Sequence, residues 1–225
     1  SSWGWHRAGR WDFDGSGRQH LVVGTDRGLL YLLAAGPDPT VALEFRSHGP
    51  LRDAEGRTIK IHNRAAAAGI DLNGDGREDL IVGGCSYQAG IPLDPTPGGG
   101  LYYLLNQGLD EEGWPQLSPP RPLVTEGLEY DRARTNAHVF VQALDIDGDG
   151  RTEALVAVQW HDQGALHVFR PACGRVALVD TGLVVPQDHR IQEWVLDVDG
   201  DGQWEVVFSG TENGVGHYRK LWRRD

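Results

Sequence analysis

A nine-residue pattern, D-x-[DN]-G-D-G-x-x-[DE], recurs along the chain and each time runs into an apolar stretch. It is complete at Asp71 (DLNGDGRED), Asp145 (DIDGDGRTE) and Asp197 (DVDGDGQWE), and partial at Asp12 (DFDGSGRQH). The first positions, 12, 71, 145 and 197, are separated by 59, 74 and 52 residues. One unit is therefore on the order of 50 residues plus a variable insertion, a period that implies stacked repeats. The flanks repeat as well. A strand-like run precedes each pattern (WHRAGRW, AAAAGI, HVFVQAL, RIQEWVL) and a β-rich run follows it (HLVVG, DLIVGG, EALVAV, EVVFSG). A Gly-led aromatic run comes next (GLLYLLA, GGLYYLLN, GALHVFR, GVGHYRKLW). Short β-branched and aromatic runs between turn residues read as strands. No long stretch repeats with a 3.6 period, so very little helix is expected. A sheet of three or four short strands buries its faces only against neighbours, so the units must stack.

The pattern itself is a set of hard oxygens, the donors that Ca²⁺ and Mg²⁺ prefer. Side-chain ligands fall at positions 1, 3, 5 and 9, with a backbone carbonyl from position 7. The glycines let the chain curl so that these oxygens converge. Without a cation the carboxylates repel one another. The second repeat offers Asp71, Asn73, Asp75, the Arg77 carbonyl and Asp79. The third offers Asp145, Asp147, Asp149, the Arg151 carbonyl and Glu153. The fourth offers Asp197, Asp199, Asp201, the Gln203 carbonyl and Glu205. In the first, Asp12 and Asp14 remain, but Ser16 and His20 fill positions 5 and 9. Three calcium sites are expected, with the first loop weak or empty. The loop differs from the EF-hand, which needs Glu at position 12 and flanking helices.

The loops explain the charge. The chain carries a net charge of −11, and the loop ligands named above include thirteen of its 32 acidic residues. Such a balance argues against nucleic acid as a partner. No apolar run approaches the length of a membrane span. The chain begins at Ser1 and contains no methionine, which reads as a processed product or an excised domain. Two cysteines, Cys85 and Cys173, are too few for a disulfide framework and leave a single pair or two thiols open.

With these motifs in view, the chain resembles the FG-GAP and VCBS repeat family, over essentially its whole length. The resemblance implies an all-β fold, a β-propeller of four FG-GAP/VCBS-like blades, in one domain over 1–225. The blades run roughly over 1–58, 59–125, 126–185 and 186–225. Two forms stay open: a small complete ring, or part of a larger seven- or eight-bladed propeller completed by a second chain or a second copy. The family includes integrin heads, fungal lectins and polysaccharide lyases, so it implies calcium binding in an extracellular or secreted setting, the periplasm included, while leaving the activity open.

In such a propeller the innermost strand of each blade ends at the calcium loop and starts on the opposite face. The strand starts carry His62, His138 and His189, and also Arg7, Arg64 and Arg190. Tyr87 and Trp160 lie in loops expected on the same face. Arginines suit a sugar carboxylate, aromatic rings suit a sugar ring, and histidine can act as a general base. The expected role is binding of a carbohydrate or protein ligand on the face opposite calcium. The alternatives are a lyase on uronic-acid glycans, with His62, His138 or His189 as base, and an assembly domain.

Overall fold

A computed structural model of the chain describes residues 6–36, 44–61, 63–85, 101–126, 138–160, 163–187, 191–202, 204–210 and 218–220. The fold is all-β, and no helix occurs among the described residues. The first unit is an antiparallel meander of β1 (Arg7–Trp11), β2 (His20–Gly24), β3 (Leu30–Ala35) and β4 (Phe45–Pro50). The second holds β5 (Asn63–Ile70), β6 (Asp79–Cys85) and β7 (Tyr102–Leu104). A hairpin of β8 (Asn106–Leu109) and β9 (Pro115–Leu117) follows, and β10 (Arg121–Pro122) returns to pair with β7. The third unit is β12 (His138–Leu144), β13 (Glu153–Trp160), β14 (Gln163–Pro171) and β15 (Ala177–Gln187), with β11 (Val124–Glu126) added in parallel outside β15. The fourth has three described strands, β16 (Ile191–Leu196), β17 (Glu205–Gly210) and β18 (Tyr218–Lys220). Each acidic loop lies between the first and second strands of its unit.

The core sits between units rather than within one. Strand alternation gives each sheet two apolar faces. Trp11, Phe13, Leu30 and Leu32 of the first unit pack against Ala67, Leu80 and Val82 of the second. Ile70, Leu72 and Ile81 of the second pack against Val139, Val156 and Phe169 of the third. Phe140, Leu144, Ile146 and Leu155 of the third pack with Val195 and Trp204 of the fourth. The four first strands also converge on a cavity of about 30 Å³, lined by Arg7, Ala66, Phe140, Gln142 and Val195 among others. Small side chains allow that convergence: Ala65 to Ala68 of β5 are all buried.

Two glycines show how closely the first two sheets approach. A Cβ on Gly9 would lie 1.8 Å from the Ala67 carbonyl oxygen, and one on Gly24 would lie 1.9 Å from that of Ala65. Both obstacles are backbone, so the sheets themselves would have to separate. Gly24→Ala is therefore expected to lower stability by about 3 kcal/mol, the upper range for overpacking, in a urea melt. A loss of a few tenths of a kcal/mol would contradict this packing.

Candidate metal centres

The four loops share one backbone curl. The glycines at positions 4 and 6 all have positive φ, from 68° at Gly15 to 85° at Gly150. That region is open to glycine at little cost. It turns successive amides inward, where the position-1 carboxylate collects them. Asp71 Oδ1 accepts from the N–H of Gly74 (2.7 Å) and Oδ2 from that of Gly76 (2.9 Å). Asp197 accepts likewise from Gly200 (2.7 Å) and Gly202 (2.9 Å). Asp12 accepts from Ser16 (3.0 Å) and Gly17 (2.7 Å), and Asp145 from Gly150 (3.0 Å). The position-9 carboxylate locks the other end. One oxygen of Asp79, Glu153 and Glu205 accepts from the position-2 amide of Leu72 (3.1 Å), Ile146 (2.9 Å) and Val198 (2.9 Å) respectively.

What the remaining oxygens meet differs from loop to loop. In the third loop, oxygens of Asp145, Asp147 and Glu153 lie within 4.8 Å of one another, and in the fourth those of Asp197, Asp199 and Glu205 do the same. Asp145 Oδ1 is buried with no hydrogen-bond partner. In the second loop Asn73 replaces one carboxylate, and Asp79 spends its second oxygen on the Asn106 amide (2.8 Å). Asp79 is fully buried, and burial pushes its carboxyl up to about 6 against those two hydrogen bonds, with Asp75 and Asp71 adding to the rise. Burial likewise raises Glu153, opposed by the Ile146 amide and by Arg170.

The first loop is closed by protein cations and donors instead. His20 is buried, and its Nδ1 accepts from the Ala35 amide at 2.9 Å. A neutral ring accepting at Nδ1 carries its proton on Nε2, and Nε2 lies 3.3 Å from Asp14 Oδ1. Arg18 Nη2 lies 3.5 Å from the other oxygen of Asp14. Burial raises the Asp14 pKa, but hydrogen bonds from Ser16 and His20 outweigh it and hold Asp14 at about 2, below its ordinary 3.8.

Sequence reasoning missed three residues here. Arg170, from β14, lies against Asp147, 3.1 Å from Glu153 Oε1 and 3.9 Å from Asp149 Oδ2. Glu78 couples the first two loops: its Oε2 accepts from the Asp12 amide (2.6 Å) and its carbonyl from Trp11 Nε1 (2.9 Å). Asn106 joins the same pair, donating from Nδ2 to the carbonyls of Phe13 (2.9 Å) and Glu78 (3.1 Å). Glu78 stands inside the pattern at a position with no assigned role. Arg170 and Asn106 come from other strands, at no spacing a single sequence makes legible. A cleft of about 480 Å³ separates the second and third loops and is lined by Asp71, Glu78, Arg151, Arg170 and Cys173. Cys173 is an exposed free thiol.

At the other end of the sheets, His138 opens β12 and pairs in register with Gln159 and Cys85, while Asn63 also pairs with Cys85. Trp160 is the next residue of β13. Arg64 has φ 51°, in the left-handed region, and its Nε lies 3.4 Å from Asp26 of the first unit. Arg7 is buried, with its guanidinium carbon 3.4 Å from the centre of the Phe140 ring, so its head packs inside the assembly of strands. His62, Tyr87, His189, Arg190 and Gln203 lie outside the described residues, as do the side chains of His138 and Trp160.

Repeated antiparallel sheets with an acidic loop after each first strand define a repeat module of the β-propeller type. A family model for the FG-GAP repeat matches residues 62–90, the span that holds the second loop and both of its flanking strands, and this stretch is an FG-GAP repeat. No match to the chain is found among curated proteins.

The Asp14 arrangement has a pH consequence. Its folded pKa lies below the unfolded value of 3.8, so its stabilising contribution is present above that pH and is lost as pH falls towards 2. Asp14→Asn is expected to flatten this part of the acid-unfolding curve. An unchanged acid limb in the variant would contradict the assignment.

Proposed function

We propose that the chain is a calcium-stabilised β-propeller module that binds carbohydrate through the end of the sheets opposite the acidic loops. The observation that carries the calcium half is the oxygen left over in the third loop. Backbone amides take one oxygen each from Asp145 and Glu153, while Asp145 Oδ1 stays buried without a hydrogen bond. A buried carboxylate oxygen in that condition is costly, and the convergence of hard oxygens around it suits Ca²⁺. The residues that would hold ions are Asp71, Asn73, Asp75, Arg77 and Asp79 in the second loop, Asp145, Asp147, Asp149, Arg151 and Glu153 in the third, and Asp197, Asp199, Asp201, Gln203 and Glu205 in the fourth. An ion would neutralise carboxylates that now repel one another and would tie the two ends of each turn together. In the third loop Arg170 already supplies part of that charge, so it competes with the ion there.

The binding half rests on the strand starts. His138, Asn63 and Cys85 share a register, Arg64 stands beside Asn63, and Trp160 adjoins the partner of His138. The positive φ of Arg64 is a local strain of the kind that functional sites retain. A cation, an aromatic residue and a histidine at one end of the sheets suit an anionic sugar.

Two measurements test the halves separately. Calcium is expected to raise the melting temperature reversibly, each site adding about 2.7 kcal/mol at a hundredfold excess over its Kd. An identical melting curve in excess chelator would contradict calcium. Arg64→Gln is expected to weaken binding of a uronate-containing polysaccharide about tenfold, the loss of roughly 1.4 kcal/mol from one charged contact, with the melting temperature unchanged. Wild-type protein that binds no acidic glycan on an array would contradict the carbohydrate reading.

A further inference from the structure

The strand that follows each acidic loop pairs with the third strand of its unit, and that pairing sets one residue opposite the closing position 9. In the third unit Ala154 pairs with Phe169, so Arg170 stands opposite Glu153. In the fourth, Glu205 pairs with Lys220. In the second, Leu80 pairs with Leu104, so Leu105 stands opposite Asp79. In the first, Leu21 pairs with Leu33, so Ala34 stands opposite His20. Both loops closed by glutamate therefore have a basic residue at this register position, and the loops closed by aspartate or histidine have an apolar one. The hydrogen bonds of the second and third loops divide the same way. Each oxygen of Asp79 meets an amide, that of Leu72 (3.1 Å) or of Asn106 (2.8 Å). Glu153 gives Oε2 to the Ile146 amide (2.9 Å) and keeps Oε1 3.1 Å from Arg170 Nε.

Arg170 spans the third loop as an ion would, but fits it less well. Its guanidinium lies against Asp147 and comes within 3.9 Å of Asp149 Oδ2. Arg170 Nε and Glu153 Oε1, though close, are both buried without a hydrogen bond, and so is Asp145 Oδ1. A planar guanidinium needs acceptors aligned with its fork, whereas Ca²⁺ takes carboxylate oxygens in a flexible geometry. The Arg170 side chain is 41% exposed, against 1% for Glu153, and an ion pair with one half-exposed partner is weak. The cleft of about 480 Å³ beside the loop is lined by Arg170 and Glu153 and gives the guanidinium room to move.

We propose that Arg170 is a tethered counter-ion, which holds the third loop together when no calcium is bound and is displaced when calcium enters. This rests on the calcium reading of the loops and adds how the third site is regulated. An ion must first evict the guanidinium, so its apparent affinity is lowered by the fraction of molecules in which the guanidinium is out of the loop. The third site then fills at a higher calcium concentration than its oxygens alone would set. The loop is held by a cation in both states, internal in one and external in the other.

The test compares wild type with Arg170→Gln, by calorimetric titration with calcium and by melting in excess chelator and in saturating calcium. One site in the variant is expected to bind calcium about tenfold more tightly, the equivalent of one charged contact removed from the competing state. Adding Asp147→Asn, which removes a ligand of the third loop, should weaken that same site and so identify it. In chelator Arg170→Gln should melt below wild type, and in saturating calcium the gap should close, since the guanidinium is then out of the loop in both states. A purely structural arginine would lower both melts alike. A wild type that binds calcium, with no site tightened in Arg170→Gln, would overturn the inference and leave the calcium reading standing. A melting gap that calcium does not narrow would do the same. A wild type that binds no calcium would overturn both. If Arg170→Gln does not fold, Arg170→Lys carries the same comparison with a smaller expected gain, because a lysine lacks the fork that reaches several acids at once.

Discussion

Everything in this molecule hangs on a turn that gathers carboxylates where they repel. The curl of the loop is fixed by a pair of left-handed glycines, and the curl aims backbone amides at the position-1 aspartate. Those amides account for one or two oxygens of each loop. Further loop amides take one oxygen each of Asp14, Asp75, Asp147, Asp149 and Asp199, and the charge that remains is balanced by different means in different loops. Arg18 and the His20 N–H serve the first, Arg77 the second through Asp75 (2.6 Å), and Arg170 part of the third. A fold built this way is tied to cations, whether they are side chains or ions.

The loops also set where the sheets can pack. Each loop begins one residue after an apolar side chain and carries another at its second position, and in the first three units both are buried in the junction with the next unit. The position-9 carboxylate bonds to the amide of that second residue, so loop geometry and junction packing are the same structural event. Glu78 and Asn106 extend this across the first junction, linking one loop to the next through backbone carbonyls and amides. Disturbing a loop should therefore be felt between sheets as well as within a turn.

The fold was largely legible from the repeats, and the reason is local. Turn glycines, alternating apolar residues and the loop pattern each act within ten residues of one another. The closing of the first loop was half legible: His20 stands at position 9 in place of an acid, but only the Ala35 amide reveals which ring nitrogen keeps the proton. Arg170 and Asn106 were not legible, since they reach the loops from distant strands. Arg7 misled for a related reason. At a strand start it reads as a surface cation, yet a face of Phe140 two units away gives it a buried seat.

The proposed function turns on whether these loops hold divalent cations. Direct counting of bound calcium per chain, by equilibrium dialysis with metal analysis at saturating concentration, tests it most plainly. Three ions per chain are predicted, with the first loop excluded by its own His20 and Arg18. A chain that binds none would contradict the claim, and the carboxylates would then have to be held together by side chains and amides alone.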